Sequence, residues 1–450
     1  MLSAFSNSLK IPELRQRIFF TLALIFVCRL LSVIPVPGVD TEMLRGIMDR
    51  MASQSGNMGF MGLLDLFSGG ALTQAAIGAL GIMPSISASI ILQLLTAVVP
   101  ALEKLAREGD AGRQQIIQYG RYLTVALCLV QGYAMAAVLL RPEALGLQIM
   151  PGETIVTMSR VPFLLLAILT MTTGTMTLMW LGEQITARGI GNGISLIITI
   201  SIVSRLPGAI SQAVAMFRTG SANIFMLVAM LALAFLVIAG VIAVTQAQRK
   251  IPVQYAKRVV GRKTYGGQST YMPLRVNYSG VMPIIFAQAI LMFPQRLLMM
   301  IPIDAVKNFA AVHLRYAGPT YITLYGLMIL FFSYFWVATQ FHPVQIADDL
   351  KKYGGYVPGI RPGKPTAEFL DRVMTRITLA GAVFLTIIAV LPMILGNSFH
   401  IPWMVAQFFG GTSLLIIVGV MLDTMRQVES HLVTRHYDGF LRKGQLRGRR

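Results

Sequence analysis

Polar and apolar positions alternate along this chain on the scale of whole helices. Ten predominantly apolar runs, at roughly 18–34, 75–98, 116–140, 161–182, 190–206, 222–245, 280–301, 319–341, 376–396 and 402–423, are separated by polar segments, two of them long. About 20 apolar residues in a helix cross a bilayer's hydrocarbon core. In lipid the backbone finds no water, and a helix satisfies its N–H and C=O groups within one segment. The pattern therefore predicts an all-α polytopic membrane protein with ten transmembrane helices. An eleventh run, "MGFMGLLDLFSGGAL" (58–72), is too short to span and carries Asp65 and a Gly-Gly break, which predicts a re-entrant or interfacial segment.

The second run departs from a plain lipid-facing helix. "GALGIMPSISASIILQLL" (78–95) contains glycines, a proline and three serines. Placed on a helix, Gly78, Gly81, Ser85 and Ala88 form a small-residue stripe that admits a close neighbour. Ile82, Ile86 and Ile90 repeat every fourth residue on an adjacent face, and Ile194 and Ile198 follow "GIGNG" in a span of similar small and polar character.

Composition agrees with a bilayer: 55% hydrophobic and 13% charged residues, with a mean hydropathy of +0.66. Of 38 Lys and Arg, 28 fall in the segments that are cytoplasmic if the N-terminus is inside; nine fall in the opposite segments, and Arg29 lies within the first span. Basic residues are retained on the cytoplasmic side, so both termini are expected inside. The first run is interrupted by Arg29 and ends in "VIPVPG", so it is expected to persist as a helix and not be cleaved as a signal peptide. Cys28 and Cys128 fall within spans and read as small apolar side chains.

The formal charge is +19, and two inside loops that carry basic residues, 246–277 and 342–376, exceed what a turn requires. The first alternates polar and apolar residues on both sides of "GRKTYGG", predicting a basic β-hairpin with its tip at Gly261 to Gly267. Such loops either set topology alone or dock something large and acidic, such as a ribosome.

Motifs for catalysis are absent from this reading. "GIRPGKPT" (359–366) has too few residues between its glycines for a phosphate loop, and Pro365 stands where Ser or Thr would bind magnesium. "RGIGNGIS" (188–195) resembles a dinucleotide fingerprint without the strand before it. The histidines, at 313, 342, 400, 431 and 436, lack metal-ligand spacing. Neither catalytic residues, metal nor cofactor are expected. A secondary transporter of a small solute is the alternative class, but it would place ionisable groups near the midplane. Here Arg29 lies toward the outer end of its span, where it can snorkel, and Glu183 at the inner end of the fourth.

Five stretches in order, "LGIMPSISASIILQLL", "TGTMTLMWLGEQITARGIGNGISLII", "IPVQYAKRVVGRKTYGGQSTYMPLRVNYSGVMPIIFA", "VPGIRPGKPT" and "GGTSLLIIVGVMLD", closely resemble the bacterial SecY family, the central subunits of the protein translocation channel. The resemblance covers nearly the whole chain. It implies two inverted five-helix halves around a central hourglass pore. These would be 1–207 and 222–423, joined by an external hinge loop at 208–221 and followed by a basic cytoplasmic tail at 424–450. It implies a pore ring of Ile82, Ile86, Ile194, Ile198, Ile285 and Ile416, and a plug at 58–72 that includes Leu64, Phe67 and Gly69. A lateral gate between the helices at 75–98 and 280–301 would include Ser87, Gln93 and Phe293. SecA or ribosome docking would fall on Arg249, Lys250, Lys257, Arg258, Arg262, Lys263 and Arg361.

The resemblance further implies SecE and SecG as companion subunits, the SecA motor or a ribosome with its nascent chain as the source of work, and signal sequences and membrane lipid as further partners. Nucleic acid would be met only indirectly, through ribosomal RNA. The place would be the bacterial inner membrane. An apolar ring excludes water and ions yet offers a passing chain no hydrogen bonds to break. Leu-like residues gain about 0.3–0.6 kcal/mol each in lipid and Lys or Arg lose about 2.5–3.5 at a helix centre, so apolar segments would leave sideways by partition.

Overall fold

The computed structural model describes residues 11–44, 46–47, 65, 67–140, 155–219, 224–255, 258–260, 263–265, 269–300, 314, 318–399 and 403–443, with backbone alone over stretches such as 258–260, 263–265, 292–300 and 433–443. Seven helices, α1 (Pro12–Leu31), α2 (Met83–Val98), α3 (Pro100–Arg107), α4 (Asp110–Leu140), α5 (Arg160–Arg188), α6 (Gly193–Arg218) and α7 (Ile224–Gln246), precede the strands β1 (Gln248–Tyr255), β2 (Arg258–Val260), β3 (Lys263–Tyr265) and β4 (Ser269–Arg275). Then come α8 (Met282–Met300), α9 (Pro319–Gln340), α10 (Pro343–Lys352), β5 (Gly355–Tyr356), α11 (Lys364–Phe399), α12 (Trp403–Gly410) and α13 (Thr412–Lys443).

Among the described residues, seven helices are long and apolar enough to cross a membrane, or eight if the bent pair α2 and α3 counts as one span. Of α8 the stretch Met282–Leu291 is described in full and is apolar, and α1 carries Glu13, Arg15, Arg17 and Arg29. The chain is thus a helical membrane protein, and the full count of ten spans belongs to the proposal below. α2 and α3 meet at 102° because Val99 precedes Pro100, which disfavours helical backbone; Val99 is extended, with φ −93° and ψ 112°.

The second apolar run is not one helix, contrary to the small-residue stripe expected on it. Gly81 has φ +60°, a left-handed conformation that ends helical continuity, and Pro84 fits only in the first turn of the helix that starts at Met83. Residues 69–82 run instead as turns, tied to the end of α1 by Val36 N–H to Ala75 O at 2.9 Å, Ile77 N–H to Ile34 O at 2.8 Å and Gly78 N–H to Leu31 O at 3.0 Å. The small side chains do permit close approach, but by a turn.

The chain gathers into two compact units, residues 1–221 with 402–405 and 416–450, and residues 222–401 with 406–415. In the first, Val36, Leu44, Leu80, Ala136, Phe163, Ala167 and Met171 belong to one buried cluster that packs the loops after α1 onto the ends of α4 and α5. α6 continues through Pro207 to Arg218.

In the second unit β1 pairs antiparallel with β4, Gln248 opposite Arg275, and β2 with β3, Arg258 opposite Tyr265. The two ladders share one register, so they form a single hairpin. Its last pair, Val260 and Lys263, brackets Gly261 and Arg262, which lie outside the described residues. β5 adds a third strand on the free edge of β1. Ile251 and Val253 of β1 point inward while its other residues are exposed. Ile251 and Leu274 join Val337, Phe341, Val357, Leu370, Val373, Met374 and Ile377 in a core that seats the sheet on α9 and α11, with Ile360 packed against it.

Candidate functional site

The segment predicted to be a plug is held by its own turn and by two arginines. Of the residues singled out there, Leu64 lies outside the described residues, Phe67 is buried, and Gly69 sits at a turn with φ +66°. Asp65 organises the turn. Its carbonyl accepts from Gly70 N–H at 3.0 Å and from the Ser68 hydroxyl at 3.2 Å, and its Oδ1 accepts from Thr73 N–H at 3.2 Å. Ser68 Oγ in turn accepts from Leu72 N–H at 3.2 Å.

Arg205 of α6 donates through Nη2 to Asp65 Oδ2 and to Thr73 Oγ1 at 2.9 Å. From α1, Arg29 Nη1 donates to Gly69 O at 3.1 Å, and Ser204 Oγ reaches the same carbonyl at 3.3 Å. The Asp65 side chain is 8% exposed and that of Arg205 23%. Gly69 admits no side chain: a Cβ there would lie 2.9 Å from the Cα of Ser201. Arg29 therefore does not snorkel outward as expected but turns onto a carbonyl forty residues on.

Behind this turn lies a small cavity of about 10 Å³, room for no more than one water. Its walls include Cys28 and Arg29 of α1, Phe67 and Ser68 of the turn, and Ile82. Phe67, assigned to the plug, and Ile82, assigned to the ring, thus face one space. Of the six ring isoleucines, Ile82, Ile86, Ile198, Ile285 and Ile416 are buried, while Ile194 is half-buried. Ser87 is buried and Gln93 exposed on α2, and Phe293 lies on α8 where only the backbone is described.

"RGIGNG" is a fastener. Gly189 N–H donates to Ile185 O at 2.8 Å, Ile190 N–H to Thr21 Oγ1 of α1 at 3.1 Å, Gly191 N–H to Gln427 Oε1 of α13 at 2.9 Å, and Gly193 N–H to Thr186 Oγ1 at 2.8 Å. Asn192 caps α6 by accepting from Ile194 N–H at 3.1 Å and Ser195 N–H at 3.3 Å. Six amides of the turn are taken, so they cannot cradle a pyrophosphate. Gly193 is required by close approach, since a Cβ there would lie 2.9 Å from the Cα of Gly182 on α5. Below it Leu14, Ile190 and Val428 form a small core. Glu183 forms an ion pair with Arg121 of α4 at 2.7 Å, a structural role.

The basic surface is carried by the second unit. Arg249 and Lys250 are exposed on β1. Arg258 and Lys263 lie on β2 and β3, where only the backbone is described, and Lys257 and Arg262 are outside the described residues. Arg361 is exposed on a turn between Gly359 (φ +82°) and Gly363 (φ +98°), pinned by the buried Thr366, whose hydroxyl donates to Arg361 O at 2.8 Å. Because Ile251 belongs to the core against which Ile360 packs, the hairpin base and the Arg361 turn stand on one platform.

Sequence reasoning missed the partners of Arg29 and Arg205, and the roles of Thr21 and Gln427. The signal for the first group was three isolated charges, Arg29, Asp65 and Arg205, in or beside otherwise apolar runs. Nothing in the local sequence marks Thr21 or Gln427.

A family model described as SecY matches residues 76–425. A protein translocase subunit SecY of Thermotoga maritima is 43% identical over 452 residues and covers 100% of both chains. Among solved structures, "The structure of a protein conducting channel" matches with a TM-score of 0.62 at 18% identity, over 93% of this chain and 92% of that one. Sec61 in the canine ribosome-channel complex from the endoplasmic reticulum matches with a TM-score of 0.58 at 16% identity over the same shares. The two structures establish a shared fold.

Proposed function

The chain belongs to the SecY family, and from that premise we propose that it is the pore-forming subunit of a channel that passes unfolded preproteins across the bacterial inner membrane and releases apolar segments sideways into lipid. Ten spans form two inverted five-helix halves, 1–207 and 222–423, with both termini cytoplasmic. SecA or a translating ribosome supplies the work by docking on the exposed basic platform around Arg249, Lys250 and Arg361. SecE and SecG complete the channel. The six isoleucines act as a gasket, whose apolar side chains hold no water and part around a chain without losing hydrogen bonds.

The observation that carries this reading is the small cavity shared by Phe67 and Ile82. A plug and a ring serve one another only if they adjoin, as Phe67 and Ile82 do across this space.

Lateral release is the step that separates a protein channel from a solute transporter. With Cys28 and Cys128 replaced by Ala, cysteines at Ser87 and Phe293 are expected to form a disulfide, which requires Cα atoms within about 7 Å. Oxidation then stops both export and membrane insertion, and reductant restores both. Efficient export through fully cross-linked protein would overturn the gate.

A further inference from the structure

The described residues from Asp65 to Leu72 are buried, yet the position of this turn is set by polar bonds from two different helices. Arg29 comes from α1 and Arg205 from α6, and between them they take the Gly69 carbonyl, the Asp65 carboxylate and the Thr73 hydroxyl. We propose that Arg29 and Arg205 form a two-armed latch on this turn, so that the segment keeps its seat until both arms let go together. The proposal deepens the plug reading above and rests on it, naming what holds the plug and what frees it.

The physical argument starts from the surroundings. The space behind the turn is lined by apolar side chains such as Ile25, Ile82 and Leu178 and by Ser32 and Ser201, and the Asp65 side chain is almost wholly buried; in so buried a setting a charge-assisted hydrogen bond is stronger than in water. Dry, the latch holds. Water that enters with a passing chain competes for the same donors and acceptors, and each bond it replaces weakens the neighbours that the bond polarised.

The latch is also incompletely satisfied. Arg205 Nε is buried and, among the described residues, finds no acceptor. A buried donor left unmet costs free energy, so the closed seat is poised for release. The fit is specific: Gly70 has φ +94°, and a Cβ on it would lie 2.9 Å from the Arg205 guanidinium carbon. The two glycines let both guanidinium groups close on the backbone.

Cys28 is a native reporter. It is buried and lines the cavity that Phe67 and Ser68 close, so a turn that leaves its seat uncovers it. In Cys128→Ala protein, reconstituted with its companion subunits, a membrane-impermeant maleimide added from the outer side is expected to label Cys28 slowly. Asp65→Asn and Arg205→Gln are each expected to raise that rate about ten- to a hundredfold, as loss of a charge-assisted bond implies. The double variant should match Arg205→Gln, since that single already loses the bonds to both Asp65 and Thr73. Resting ion conductance should rise in step.

Thr73→Val keeps both charges in place, so it is expected to insert normally even where the charge variants do not, and to raise labelling about tenfold as the bond from the Arg205 guanidinium is lost. Deleting residues 58–72 separates the two layers of argument. Fast labelling after deletion, with the point variants as slow as the parent, would overturn the latch and leave the plug standing. Labelling and conductance unchanged by the deletion would overturn the plug itself.

Discussion

The plug turn and the basic platform are fixed in place by opposite means. The described residues of the turn from Asp65 to Leu72 are buried, and position is set by hydrogen bonds from Arg29, Ser204 and Arg205. On the platform the charges face outward, and position is set by a buried core of Ile251, Leu274, Val357 and Leu370. Each region is specified by the interaction its surroundings make strong. Water drives apolar side chains together on the platform, whereas burial at the turn makes each polar bond count. Loss of core packing should therefore loosen the platform, whereas loss of a polar bond, or of the close fit that admits it, should loosen the turn.

The largest effect is expected at the platform's core. Leu370 is fully buried, and Leu370→Ala should cost about 2–5 kcal/mol through the cavity it leaves. The measurement is thermal unfolding of the detergent-solubilised protein together with tryptic cleavage in the hairpin. An unshifted transition with an intact hairpin would show that the core does not hold the platform.

Gly69→Ala attacks the plug by shape alone, leaving every charge in place. The left-handed φ of +66° costs a non-glycine residue about 1–2 kcal/mol, before the conflict with the Ser201 backbone. Resting ion conductance should rise while the platform's protease resistance stays as it was. A silent conductance would mean that the turn tolerates a side chain.

Smallest in stability is Arg361→Glu. An exposed loop charge rarely changes stability by more than about 0.5 kcal/mol, yet preprotein export should fall sharply because the docking surface reverses sign there. Normal export by a correctly inserted variant would remove Arg361 from that surface.

The platform was more legible in the sequence than the plug, and for a physical reason. Alternation places Ile251 and Val253 inward, and one register runs from the base of the hairpin to its last pair. That pattern is local, so a reader of the chain can see it. β5 could not be seen, because a two-residue strand has no periodicity. The start of α2 was misplaced by eight residues, from 75 to 83, because hydropathy does not register the positive φ of Gly81. Arg29 looked like a snorkelling residue because its acceptor lies on another segment and is a backbone carbonyl, which no side chain pattern announces. Burial of the isoleucines at 82, 86 and 198 fits the ring, but burial alone does not separate a gasket from a core.

α13 has a consequence for the order in which the molecule is made. Translation delivers residues in sequence, yet the first compact unit, which starts at the N-terminus, includes residues 416–450. Until Gln427 leaves the ribosome, the buried Gly191 amide lacks its acceptor, and Leu14 and Ile190 lack Val428. The unit begun first is therefore the one finished last. A chain halted before residue 416 would already contain every residue of the second unit while the first stayed open at its fastener, so quality control that senses that fastener would in effect be checking that synthesis had reached residue 428.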